Sequence, residues 1–137
     1  MECPDCAVAV VSFTVPEPYR DAVPDSENAV GLCPRCLSLY PFSEQRDHTT
    51  DECPHEPDFG RIGDAFPSNP DAGVPMALLV GLLDSLALYR SEIAELLAAV
   101  ERAGVDPLLV LDRLAADPDV ETDIDLTGRR RQLEQLL

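Results

Sequence analysis

The sequence contains no lysine, and its ten arginines stand against 26 acidic residues, for a formal net charge of −16. The acidic residues occur throughout the chain, whereas a regulatory acidic tail would form a block at one end. Such self-repulsion destabilises a compact state at low salt, and salt screens it over a Debye length of roughly 3 Å at ~1 M. The composition therefore favours a high-salt cytoplasm. An ordinary acidic protein with an acidic partner-binding face is the alternative.

A long hydrophobic run is also missing. The most apolar stretch, Met76–Leu83, ends at Asp84, whereas a membrane-spanning helix needs ~20 apolar residues. The start, Met1–Cys6, carries acidic residues and a CxxC motif rather than a signal peptide. We therefore expect a soluble, cytoplasmic protein without a membrane anchor. Its odd number of cysteines, five, argues against a disulfide framework.

Four of the cysteines form two CPxC motifs, Cys3-Pro4-Asp5-Cys6 and Cys33-Pro34-Arg35-Cys36. Each motif can place two thiolates on one ion, and zinc accepts four thiolates in a tetrahedron. We predict that Cys3, Cys6, Cys33 and Cys36 bind one structural Zn²⁺. Iron or redox chemistry remains an alternative for CxxC pairs. Cys53 and His55 offer two further ligands, too few for a second site, and are interpreted as loop residues.

Residue patterns predict an α+β fold, beginning with a zinc ribbon over residues 1–41. Val8–Val15 is rich in β-branched residues, and Ala29–Leu32 and Leu37–Tyr40 flank the second motif. Two or three short antiparallel strands are expected there. An irregular connector is predicted over 42–74, with three apolar residues spaced to anchor it on the helices: Phe59, Ile62 and Phe66.

Residues 75–137 are predicted to form three helices, at about 76–103, 107–116 and 127–137. Leucines at alternating steps of three and four, with Pro75 in the first turn and Gly104 at the end, indicate one long helix. Its first half is apolar almost all round, so it must be buried on several sides. Two short helices cannot cover it, and we therefore predict a homodimer through the long helix. Packing within one chain is the alternative.

With these features the chain resembles a group of small haloarchaeal CPxC proteins, a domain family of unknown function. The resemblance rests on the two CPxC motifs at 3–6 and 33–37, on Asp-Ala-Phe-Pro at 64–67, and on the leucine-rich stretches at 82–90 and 104–114. It implies a halophilic origin and a zinc ribbon, and it implies no activity.

For function, the sequence favours an interaction or adaptor protein with an unknown protein partner. A nucleic-acid-associated role is the alternative, because zinc ribbons occur in transcription and translation machinery, but the net charge disfavours phosphate binding. Arg35 and the run Arg129–Arg131 are the basic residues that would serve it. We expect no enzyme: four cysteines close the metal shell, and no phosphate-binding loop, H-E-x-x-H motif or activated nucleophile is present.

Overall fold

A computed structural model gives the fold and describes residues 2–22, 29–41, 58–64, 66–122 and 124–136. The architecture is mixed α+β, as predicted, with a three-stranded sheet near the N-terminus followed by helices. The sheet has the order β1-β2-β3 and is antiparallel, with β1 at Val11–Thr14, β2 at Ala29–Leu32 and β3 at Leu39–Pro41. A 3-10 helix at Glu17–Ala22 follows β1.

The helical region differs from the prediction, because the described residues contain four α-helices rather than three. They are α1 at Pro70–Leu82, α2 at Arg90–Arg102, α3 at Pro107–Ala116 and α4 at Leu126–Glu134. The predicted single helix at 76–103 is wrong. A 3-10 turn at Leu83–Ser85 ends α1, and the chain folds back so that α2 packs against α1.

Helix α1 begins six residues earlier than predicted, inside the presumed connector. The Asn69 side chain caps it by accepting a hydrogen bond from the Asp71 amide at 3.0 Å, and Pro70 takes the first helical position. Pro75 therefore lies within the helix rather than in its first turn. Because proline has no backbone N–H, the helix lacks one backbone hydrogen bond near its start.

Sheet and helices share one hydrophobic core. Residues of β1 and β2 are buried together with those of all four helices. The Phe13 ring of β1 packs on the Phe59 ring at a centroid distance of 5.6 Å, and Phe59 packs on Phe66 at 5.8 Å. Phe59, Ile62 and Phe66 are all buried, so the described part of the connector is anchored as expected.

Two glycines allow close contacts with α1. A Cβ on Gly81 would lie 2.8 Å from Leu39 of β3, and one on Gly73 would lie 2.5 Å from the Phe59 ring. These contacts bring the sheet and the connector onto α1, and Met76–Val80 is entirely buried within the chain. The homodimer was predicted because two short helices could not cover one long helix at 76–103; the described residues form α1 and α2 there instead, and the dimer stays a prediction. No helix in the described ranges is long and apolar enough to cross a membrane.

Candidate metal centre

The four cysteines of the CPxC motifs meet at one point. The sulfur atoms of Cys3, Cys6, Cys33 and Cys36 all lie within 4.8 Å of one another. All four are free thiols rather than disulfides. Cys3 and Cys33 are buried, whereas Cys6 and Cys36 are partly exposed. Among the described residues, this is the one group of three or more cysteine, histidine or acidic side chains that could hold a metal ion.

Each CPxC motif folds into the same tight turn. In the first turn, the Ala7 amide donates to the Cys3 carbonyl at 2.8 Å and the Cys3 amide donates to the Val8 carbonyl at 2.9 Å. The second turn repeats this pattern, with Leu37 N bonded to Cys33 O at 3.0 Å and Cys33 N to Ser38 O at 2.9 Å. The two turns therefore share one backbone hydrogen-bond pattern, and each turn holds two of the four cysteines.

The residue after each motif adopts a left-handed backbone conformation. Ala7 has φ of 56° and Leu37 has φ of 63°, and these are the two non-glycine residues with positive φ among those described. Residues with a side chain rarely adopt this conformation. Its recurrence at equivalent positions shows that both turns depend on it. In the second turn the strain is offset by burial, because the Leu37 side chain lies in the main core.

Backbone amides point at the sulfur atoms. The amides of Arg35 and Cys36 each lie 3.4 Å from the Cys33 sulfur, in donating geometry. Such bonds favour a thiolate because they stabilise its negative charge. They also orient the sulfur toward the centre of the cluster. The CPxC spacing produces this arrangement, since the proline presets the turn and leaves the next two amides free to donate.

Two side chains beyond the cysteines complete the polar surroundings. The Tyr40 hydroxyl lies 3.2 Å from the Cys3 sulfur, and the Ser38 hydroxyl lies 3.3 Å from the Cys36 sulfur. Sequence analysis missed both residues. The available signal was position, because both residues closely follow Cys36, and Tyr40 lies in β3, where it pairs with Gly31 of β2. Apolar Val8 and Val10 pack beside the sulfurs.

The thiols differ in acidity. Burial raises the pKa of Cys6 to about 12, with hydrogen bonds to the other cysteines adding to the effect. Burial also raises the pKa of Cys33. Burial opposes ionisation of Cys3 as well, but hydrogen bonds from Tyr40 and from the backbone amides of Cys6 and Asp5 lower its pKa to about 6. The Tyr40 hydroxyl therefore faces the thiol of Cys3, whose pKa it helps to lower.

Polar contacts fasten the cluster to the rest of the chain. The Glu121 amide, between α3 and α4, donates to the Arg35 carbonyl at 2.7 Å, and the two side chains form an exposed ion pair at 3.8 Å. On the other side, the Arg61 guanidinium donates to the Ala9 carbonyl at 2.6 Å. The second turn is therefore linked to the helical region, and the chain just after the first turn to the connector, each by a hydrogen bond to a backbone carbonyl.

Tyr40→Phe removes the hydroxyl beside Cys3 and keeps the ring. We expect metal affinity to fall about 10–100-fold, the usual effect of losing a partner that hydrogen-bonds a ligand. Competition with a chromophoric chelator measures the affinity. Tyr89→Phe is the matched control, because Tyr89 packs against the main core rather than the cysteines. Equal affinities for both variants would show that the hydroxyl is not a partner of the bound thiolate.

The remaining sequence candidates lie elsewhere or outside the description. Cys53 and His55 fall outside the described residues. In the arginine run on α4, Arg130 forms ion pairs with Asp112 and Glu134, while Arg129 donates to Gln132. Arg130, a residue predicted to serve nucleic-acid binding, therefore pairs with acidic residues of the chain itself.

Comparison with known proteins places the chain in a family. No curated protein and no solved structure matches it significantly. The model of a family of unknown function, DUF6276, matches residues 2–137. Because this match covers nearly the whole chain, the protein belongs to the DUF6276 family.

Proposed function

We propose that the N-terminal sheet is a zinc ribbon and that Cys3, Cys6, Cys33 and Cys36 hold one structural Zn²⁺. The observation that carries the proposal is the cluster of four sulfurs within 4.8 Å, presented by two matching turns. Four protein ligands are typical of structural zinc sites, because catalytic zinc keeps a position for water or substrate. A sheet this small buries little apolar surface by itself, so a bound ion would supply much of its stability.

Zinc is preferred over iron for this site. Tetrahedral sulfur ligands suit both zinc and iron, but divalent zinc binds a given ligand set more tightly than ferrous iron. Metal analysis of protein purified without added metal distinguishes them. We expect about one equivalent of zinc and a colourless protein. A visible charge-transfer spectrum with stoichiometric iron, or metal well below one equivalent, would contradict the assignment.

We further propose that the protein is an interaction or adaptor module rather than an enzyme, acting in a high-salt cytoplasm. A closed thiolate shell leaves the ion no open position for a substrate. The centre is instead fastened to the helical region through Arg35 and Arg61. Metal binding would thereby stabilise one continuous surface made by the sheet and the helices, which suits recognition of a protein partner.

Nucleic-acid binding is the main alternative to the adaptor function. Arg35, at the tip of the second turn, pairs with Glu121, and Arg130 pairs with two acidic residues. These arginines are partly neutralised before any phosphate approaches. With a net charge of −16, the chain is expected to repel nucleic acid.

Two measurements in molar potassium chloride separate the outcomes. We expect affinity capture with the full chain, followed by mass spectrometry, to recover a protein that remains after nuclease treatment. Filter binding with single-stranded DNA and with transfer RNA should show no retention. Retention of either nucleic acid together with loss of captured protein after nuclease treatment would contradict the adaptor role. Light scattering tests the predicted homodimer separately.

A further inference from the structure

A shallow groove runs between the α1–α2 turn and the last helix. Leu86 and Leu136 form its apolar part, and Arg90, Arg129, Gln132 and Gln135 supply its polar part. Its volume is about 190 Å³. We call it the α4 groove. None of the residues that line it is acidic, although the chain carries 26 acidic residues. The charged side chains that line the groove are thus both arginines, and the acidic residues Asp84 and Asp125 line a neighbouring pocket that shares Arg129 and Gln132.

The two arginines of the α4 groove have no acidic partner among the described residues. Arg129 donates instead to the neutral Gln132 side chain, at 3.0 Å. The adjacent Arg130, by contrast, forms ion pairs with Asp112 of α3 and with Glu134 of α4. Where acidic residues are so abundant, two arginines left without them beside an apolar floor are complementary to a carboxylate from outside the chain.

An exposed leucine follows two of the lining residues in the chain. Leu88 is 77% exposed, the most exposed large hydrophobic side chain among the described residues. It follows Leu86 and Ala87, which line the groove, in the turn between α1 and α2. The Leu88 side chain is therefore accessible to a ligand that occupies the groove.

We propose that the α4 groove binds an acidic segment of a partner protein. A large apolar side chain of that segment would pack on Leu86, Leu88 and Leu136, and flanking Asp or Glu carboxylates would pair with Arg90 and Arg129. The inference rests on the proposed adaptor role and gives its partner a chemical class. Arginine suits this role because its planar guanidinium can bind a carboxylate through two parallel hydrogen bonds.

High salt favours an acidic peptide over the other candidate ligands of the α4 groove. At a Debye length of roughly 3 Å, in ~1 M salt, long-range attraction is screened and ion pairs in direct contact keep their effect. Nucleic acid would meet two arginines on a chain of net charge −16, which is too little for phosphate binding. An acidic, partly apolar peptide meets the same net charge, but its contact ion pairs with Arg90 and Arg129 and its packing on the apolar floor of the groove act at short range, where salt screens them least.

The test uses a random dodecapeptide display library, selected on the zinc-loaded full chain in molar potassium chloride. Enriched peptides should carry Leu, Phe, Met or Trp flanked by Asp or Glu. Their affinity should fall about tenfold or more for the double variant Arg90→Glu/Arg129→Glu, because each charge reversal replaces an attractive contact with a repulsive one. Leu88→Ser should weaken them similarly without affecting folding, since that side chain is exposed.

The matched control is Arg102→Glu/Arg113→Glu, which makes the same charge change on exposed residues of α2 and α3 that do not line the groove. Peptides should bind it like the original protein. An absence of enriched peptides, enrichment without acidic residues, or equal loss in both double variants would overturn the proposal. Binding of single-stranded DNA that depends on Arg90 and Arg129, or a dimer that Leu88→Ser dissociates, would assign the groove to another occupant and also overturn it.

Zinc content and affinity capture are measured on the same variants. One zinc equivalent in every variant shows that the metal centre is independent of the groove. If captured protein is retained by the Arg90→Glu/Arg129→Glu variant, the adaptor role stands and the groove proposal fails. If the unmodified chain captures no protein at all, the adaptor role itself fails.

Discussion

Cys33→Ser is expected to release the metal ion and to lower the free energy of unfolding by about 4 kcal/mol, when free zinc is a thousandfold above its dissociation constant. The Cys33 side chain is fully buried and its sulfur accepts hydrogen bonds from two backbone amides, and a serine there offers a protonated hydroxyl in place of the thiolate that the ion requires. For a chain of this size the loss corresponds to a fall in Tm of about 10–15 °C. Thermal unfolding followed by circular dichroism, with zinc analysis of the same samples, measures both effects.

Cys53→Ser provides the matched control, because it makes the same substitution at the one cysteine outside the two motifs. It is expected to keep one zinc equivalent and an unchanged Tm. Chelation of the unmodified protein should reproduce the destabilisation of Cys33→Ser and add little to that variant. A Cys33→Ser protein that retains a full zinc equivalent, or that loses zinc without loss of stability, would contradict the structural role of the ion.

The metal cluster was the most predictable part of the molecule, and the reason is local. A CPxC motif sets the geometry of its own turn through the proline and the short spacing. Two such turns need only one strand pairing, that of β1 with β2, to bring four sulfurs together. The positive φ at Ala7 and Leu37 carried no comparable signal, because glycine, which marks such positions, is absent from both.

The helices show where sequence reasoning failed. The spacing of leucines continues in phase through Leu86 and Tyr89, so periodicity alone predicts one helix across the turn at 83–89. What ends α1 is tertiary: an apolar helix gains more by packing against α2 than by extending into solvent. Likewise, Pro75 and Asn69 both offer plausible starts, and the contact of Gly73 with Phe59 favours the earlier one.

Tyr40 illustrates a third case, in which residues far apart in the sequence must meet. Its hydroxyl reaches the Cys3 sulfur only because β3 pairs with β2 and the first turn folds over them. Strand register decides this contact, since a shift by one residue would move the side chain to the opposite face of the sheet. A single sequence records the strand propensity of residues 37–40 but not that register.

Phe13→Ala is expected to lower the free energy of unfolding by about 3–5 kcal/mol, the usual range for truncating a buried aromatic residue. Phe13 is fully buried on β1 and packs on Phe59, which in turn contacts Phe66 and the helix α1 at Gly73. Removing the ring therefore opens a cavity between the sheet and the helices. Urea unfolding followed by helical circular dichroism and by zinc release to a chromophoric chelator measures the effect on both parts.

Because one core joins sheet and helices, we expect the two signals to shift together in Phe13→Ala, with coincident midpoints at lower urea. Phe13→Leu serves as the control, with a smaller loss of about 1–2 kcal/mol, since leucine keeps most of the apolar contact. Earlier zinc release with an unchanged helical transition would show that residues 1–41 unfold as a separate domain. Coincident transitions would mean that metal binding at the N-terminus stabilises the helical surface as well, and with it the α4 groove.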